Sequence, residues 1–256
     1  YEIRLSLVGS EMCIRDSLYI EHEGETNFMK KSAFTLAETL IILGIIGIVA
    51  ALTIPGLLNN YLKKQTATQL QKSISIMNQA YKLSFEDLGE LSASETKDLD
   101  SKEYFNTYWA PYIKALTYCE TITPCGYKSY TPFTQTNGKK SIWYIVEPRL
   151  RPTFITPDGT VYAIFLSTWS GDPNTNKKQE LYQIIVDLNG GAKPNKFGRD
   201  VFWLSRTQDN GGGIRPYCYQ KTDKEINKDC SKSGIGECCA EKIRRAGWEI
   251  TQDYPW

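Results

Sequence analysis

From Phe34 to Leu58 the chain carries one formal charge, the carboxylate of Glu38, and within that stretch Leu40–Ile54, LIILGIIGIVAALTI, carries none. A carboxylate in hydrocarbon costs roughly 2.5–3.5 kcal/mol at a helix centre, and less toward the ends, unless a cation partners it. A cut after Ala33 would supply that cation, because Phe34 would then present a free α-amino group four residues from Glu38. Lys30 and Lys31 precede the apolar run, and Lys63 and Lys64 follow it. Spanning a bilayer takes about 20 largely apolar residues. The run reaches that length between Phe34 and Leu58, and no comparable segment exists to wrap it as a buried core helix. An ordinary secretory signal places its small-residue cut after the apolar region. Here the basic residues and the small Ala33 come before it, so cutting there keeps the helix on the mature protein.

A second group with chemical potential lies in VDLNGGAKPNKFGRD. Asp187, Asn189, Asn195 and Asp200, with the carbonyls of a glycine-rich turn, offer a hard cation oxygen ligands, and calcium is the candidate. The spacing is not that of an EF-hand, and the rival reading is a polar turn closed by Asx and glycine geometry. Six cysteines, Cys119, Cys125, Cys218, Cys230, Cys238 and Cys239, form an even set suited to disulfides in an oxidising compartment. Cys119–Cys125 is the first expected pair, closed by proximity in sequence, and the vicinal Cys238 and Cys239 are expected to reach back to Cys218 and Cys230. Zinc is the rival, without a C-x-x-C pair or a nearby histidine to support it. The sole histidine, His22, precedes the apolar run, so the rest of the chain lacks a Ser-His-Asp triad or a Cys-His pair. An acid pair such as Asp158 and Glu180 is what remains for an anchored hydrolase, and the expectation is that the chain is not an enzyme.

These residues need elements to carry them. After Leu57, apolar residues recur at three- and four-residue steps, Leu70, Ile74, Met77, Tyr81, Phe85 and Leu88, opposite Lys63, Lys64, Gln65, Gln69, Gln71 and Lys72. That periodicity predicts an amphipathic helix over 59–90, continuous with the apolar run and ending near Gly89, with a polar loop after it. Ser101–Leu116 reads as a short helix interrupted at Pro111. Strands are expected at Ser141–Val146, Thr160–Thr168, Leu181–Leu188 and Val201–Ser205, with a hairpin signal at Asp158-Gly159. The expected class is α+β, a long helix laid across an antiparallel sheet of three to five strands. The head is assigned to 91–256. The aromatic C-terminus, with Trp248 and Trp256, is expected to pack against the core or a neighbouring subunit.

The 256 residues, 41% hydrophobic and 23% charged, exclude a disordered chain and a multi-span membrane protein. Residues 1–33 carry 4 of the 30 basic and 6 of the 29 acidic side chains, so the net charge rises from +1 to +3 without them. No basic cluster marks a nucleic-acid partner. Tyr1–Ser17, and most specifically Gly9–Ser17, GSEMCIRDS, is similar to a peptide translated from sequencing-adaptor read-through. Residues 1–28 are therefore expected to be a non-native or disordered extension, with the natural start at Met29.

MKKSA-FTLAE-TLIILGIIGIVAALTIP resembles the prepilin N-terminus shared by type IV pilins and type II secretion pseudopilins. The leader would be Met29–Ala33, the mature chain would begin at Phe34, and Glu38 would be its fifth residue. The departures are Ala33, where glycine is commoner, and Ala37, where a larger apolar residue is usual. The resemblance implies cleavage after Ala33 and N-methylation of Phe34 by a prepilin peptidase/methyltransferase. It implies that Glu38 guides subunits into register, and that Gly47 and Pro55 bound a segment that kinks or extends in the filament. It implies a single-pass inner-membrane precursor with a periplasmic head, passing into a helical filament of pilin or pseudopilin subunits. A pilus and a secretion pseudopilus are not separated by these residues, and a tip adhesin is the rival within the class.

Overall fold

The computed structural model describes residues 35–89, 101–143, 145–146, 151–165, 168–170, 178–180, 183–207 and 212–256. The expected extension 1–28, the leader Met29–Ala33, the mature terminus Phe34 and the polar loop after Gly89 lie outside the described residues.

Helix α1 runs from Leu36 to Leu88, 53 residues, with Pro55 inside it. The chain divides into two units, one ending at Ala51 and one beginning at Leu52. In the first, the described residues are α1 alone, and its side chains are exposed from Leu36 to Val49. An 18-residue window of α1 has mean hydropathy 2.6 and none of it is buried. It is a helix long and apolar enough to cross a membrane. Gly44 and Gly47 have open space around them, and α1 passes through Gly47 and Pro55 as one helix.

The second unit is α+β. After α1 come α2 (Ser101–Tyr108), a 3-10 turn at Ala110–Tyr112, and strands β1 (Thr117–Tyr118), β2 (Thr153–Ile155) and β3 (Val161–Phe165). Then follow β4 (Thr168–Ser170), β5 (Lys178–Glu180), β6 (Gln183–Asp187), β7 (Val201–Thr207), β8 (Gly213–Pro216), α3 (Asp223–Asp229) and α4 (Cys239–Arg245). The main sheet has six strands in the order β1-β2-β3-β6-β7-β8, every neighbouring pair antiparallel, and β4 and β5 pair separately.

Alternation along the strands divides the core. Tyr162, Ile164, Ile184, Val186, Phe202 and Leu204 face Leu70, Met77, Ala80 and Tyr81 of α1. Val161, Ala163, Phe165, Ile185, Val201 and Trp203 face a second layer with Tyr127, Phe133, Ile145 and Phe197. Both faces are covered, so the central strands are almost wholly apolar rather than half polar.

The helix stripe is narrower than the large residues alone predict. Ala67, Ser73, Ala80 and Ser84 are buried with Leu70, Met77 and Tyr81, whereas Leu88 is 49% exposed. Small side chains let the sheet approach the helix closely, and Leu88 lies at its end, beyond that contact.

Ser141–Val146 is not a strand among its described residues. Its apolar residues fasten a loop onto the second core layer: Ile145 N–H donates to the Tyr130 carbonyl at 2.8 Å, and Thr153 Oγ1 donates to the Ile145 carbonyl at 2.7 Å. The hairpin at Asp158-Gly159 forms between β2 and β3. Gly159 takes φ +85, and Asp158 Oδ1 accepts from Thr156 Oγ1 at 2.7 Å.

Three disulfides hold the head: Cys119–Cys125, Cys218–Cys238 and Cys230–Cys239. Cys230–Cys239 ties the end of α3 to the start of α4, and Cys218–Cys238 ties the turn after β8 to the residue before α4. Thr222 and Glu225 form a capping box on α3, and the buried Glu241 of α4 is held by Arg244 and Arg245. All six cysteines expected to pair are used, which removes them as zinc ligands.

Candidate functional site

Glu38 sits in the first turn of α1. Thr35 N–H donates to Glu38 Oε2 at 2.8 Å, Thr35 Oγ1 donates to the same oxygen at 2.9 Å, and Glu38 N–H donates to Thr35 Oγ1 at 3.3 Å. This is a capping box, in which two amide donors left over at a helix start are satisfied reciprocally. The sequence carried the signal as Thr35-Leu36-Ala37-Glu38, a T-x-x-E pattern ahead of an apolar run. A reading of Glu38 for its charge alone passes over it. Both donors use Oε2, which leaves Oε1 for a cation. Ala33 and Phe34 lie outside the described residues.

The loop between β6 and β7 brings Asp187, Asn189, Asn195 and Asp200 to one place. Asp187 is fully buried at the end of β6, Asn195 and Asp200 are buried, and Asn189 is exposed. Asp200 accepts from the backbone N–H groups of Asn195 at 2.8 Å and Lys196 at 2.7 Å. Asp187 accepts from Asn189 N–H at 3.3 Å and from the Tyr127 hydroxyl at 2.7 Å. Glycine is required where the loops meet: a Cβ on Gly191 would lie 1.9 Å from the Gly126 carbonyl oxygen.

The side-chain amides close the turn. Asn189 directs its NH₂ at Asp187 Oδ1 at 2.9 Å, Asp200 Oδ2 at 3.2 Å and the Ala192 carbonyl at 3.2 Å. Asn195 directs its NH₂ at the carbonyls of Ala192 at 2.9 Å and Gly190 at 3.0 Å, and at Asp187 Oδ2 at 3.2 Å. These donors satisfy the turn without an ion. With each amide turned the other way, its oxygen would join the carboxylate and carbonyl oxygens in the kind of donor set calcium takes.

The surroundings disfavour the charged form of both carboxylates. Burial, then the neighbouring Asp200, push Asp187 well above the usual carboxylate range. Burial pushes Asp200 up as well, against the backbone donors that hold it down. Burial and the Asp187 carboxylate push the Tyr127 hydroxyl well above an ordinary phenol. Tyr127 has no signal in the sequence, since it lies sixty residues from Asp187 and meets it only through the fold. Among the described residues no three His, Cys, Asp or Glu side chains come together as ligands, so amides and carbonyls must complete any shell here.

The two acids considered for hydrolysis lie in different parts of the head, Asp158 in the β2–β3 turn and Glu180 on β5. Asp158 bonds Lys72 Nζ at 2.8 Å and closes the β2–β3 turn. Glu180 lies on β5, opposite Thr168, and its side chain is outside the described ones.

Residues 56–138 match a family of unknown function, DUF6613. The match covers the helix from just after Pro55, α2 and the Cys119–Cys125 loop with Tyr127. No curated protein and no solved structure matches the chain.

Proposed function

We propose that this chain is a prepilin-type structural subunit. It is cut after Ala33, N-methylated at Phe34, and assembled into a type IV pilus or a type II secretion pseudopilus. The observation that carries this reading is the exposed apolar helix with one carboxylate at its first turn. From Leu36 to Leu58 its side chains are unburied, save Ala50, which is half-buried, and Glu38 is the only charge among them. Such a surface is stable in lipid, or among like helices in a filament core, so assembly exchanges one apolar surrounding for another. Glu38 serves two partners in this reading. Oε2 caps its own helix, and Oε1 receives the α-ammonium of a Phe34, which methylation leaves cationic.

The head carries the rest of the function. Asp187, Asp200, Asn189 and Asn195, with the carbonyls of Gly190 and Ala192, would hold calcium. The ion would neutralise two buried carboxylates and lock the β6–β7 loop. The large disulfide-held head favours a specialised subunit, and no observation on the head favours an enzyme.

Glu38→Leu tests the reading. It leaves the span intact and is expected to abolish incorporation into sheared filaments while the protein still accumulates in the membrane. Normal incorporation of Glu38→Leu would refute it.

A further inference from the structure

We infer that the end of the head beside the apolar run is a docking surface for the headgroup layer of an anionic bilayer. Trp248, Trp256, Lys63 and Lys64 form it, and the inference rests on the single-span reading above.

The apolar run ends at Leu58, and a helix rises about 1.5 Å per residue. Asn59 through Lys64 therefore lie within roughly 9 Å of its end, and the headgroup layer on each side of the hydrocarbon is about 5–8 Å thick. The C-terminus is tied to this level. Trp256 Nε1 donates to Asn59 Oδ1 at 2.6 Å, which places its indole beside the first residue after the run. The Arg199 guanidinium lies over the same ring, 5.1 Å from its centroid.

A groove of about 590 Å³ separates α1 at Lys63 and Lys64 from the segment Gly247–Ile250 that follows α4. Trp248 on its wall takes φ +66, a conformation costly for a bulky residue, held by its N–H bond to the Ile243 carbonyl at 2.9 Å. Both indoles are only half-buried, and Tyr61 is 64% exposed on the adjoining turn. Neither Lys63 nor Lys64 forms an ion pair among the described residues, and Glu249 is the one acid on the groove wall. Rings with an apolar body and a polar edge settle at the headgroup level, and lysine ammonium groups near an anionic surface bind its phosphates. Aromatic rings and unpaired cations at one depth complement that layer.

The test uses the full chain in lipid nanodiscs of phosphatidylcholine, with or without phosphatidylglycerol, doped with a headgroup-nitroxide lipid that quenches nearby indoles. Quenching is expected to be stronger with phosphatidylglycerol. The Trp248→Phe/Trp256→Phe variant should lose that lipid-dependent part. Lys63→Gln, at a half-buried position, and Lys64→Gln, at an exposed one, should each lower the docked-to-free ratio about fivefold on the anionic discs. An inserted chain whose quenching ignores phosphatidylglycerol, or survives loss of both tryptophans, overturns the docking surface and leaves the span standing. Quenching that follows the number of chains per disc rather than lipid charge also overturns it, in favour of a subunit contact. A chain that never enters the discs overturns both readings.

Discussion

Tyr127 donates its hydroxyl proton to Asp187 Oδ2 at 2.7 Å, joining the segment that follows the Cys119–Cys125 loop to the last residue of β6. The bond gives a buried carboxylate one donor. It does not neutralise the charge, and Asp200 lies in the same loop with a carboxylate of its own. The β6–β7 loop therefore has a like-charge problem, met by the Asn189 and Asn195 amide donors and answered further by a proton or a cation.

Calcium should stabilise the folded head. At a free concentration a hundred times its Kd, a bound ligand adds about 2.7 kcal/mol. The sign of the pH effect follows from the raised carboxylates. Their folded pKa values lie above the unfolded ones, so ionising them costs the metal-free fold stability as the pH rises from the ordinary carboxylate range. Calcium needs the ionised forms, so its gain should be largest at neutral pH and shrink on acidification. Thermal unfolding with calcium and with a chelator, at neutral and mildly acidic pH, reads this. An unchanged Tm at neutral pH would mean that the amides close the turn without a metal.

Asp187→Asn should separate charge from packing. It keeps an acceptor for Tyr127 and removes one of two repelling charges, so the metal-free protein should be more stable and the calcium increment should vanish. Asp187→Ala should instead cost about 1–3 kcal/mol, because buried donors lose their acceptor. Chemical denaturation of the two variants with chelator present distinguishes these outcomes.

Much of the head was legible because large residues announce it. The 59–90 periodicity placed α1 against the sheet, and Asp158-Gly159 placed the β2–β3 turn. The buried small residues Ser73, Ala80 and Ser84 were invisible to that reading, since a hydrophobic stripe does not count serine. Ser141–Val146 has strand composition but serves as a core-capping loop, because side chains and single backbone bonds fasten it in place of a ladder. The short β1, β2 and β8 have too few residues for a period of two to register. At the candidate sites, the four loop residues share one turn and were readable together. Tyr127 came from another layer and was not.

Asp158 should titrate well below an ordinary aspartate. Burial pushes its pKa up, but bonds from Lys72, Thr156 and Thr160 outweigh this and hold it at about 2. The stability it supplies is present above the usual aspartate value and is lost as the pH falls toward about 2. Both partners are partly exposed, so the pair is worth less than about 1 kcal/mol. Lys72→Met should raise the Asp158 pKa in a carboxyl NMR titration and change the midpoint of thermal unfolding little. An unmoved Asp158 pKa would show that Thr156 and Thr160 alone hold the carboxylate down.

The disulfides should contribute unequally. Cys218–Cys238 spans 20 residues and Cys119–Cys125 spans 6. By loop-closure entropy the first should be worth about 3 kcal/mol and the second a little over 2. Paired serine substitutions measured by urea denaturation test the order. Equal losses would mean that folded-state contacts, rather than chain entropy, dominate.

The central claim is that the greasy helix stays on the mature protein behind a methylated phenylalanine. Intact-mass and N-terminal fragment analysis of the chain purified from its native membrane tests it directly. The account predicts a first residue of Phe34 carrying one extra methyl group, with Glu38 fifth in the mature chain. A mature protein beginning after Pro55 would lack the span and its carboxylate, and would contradict the account.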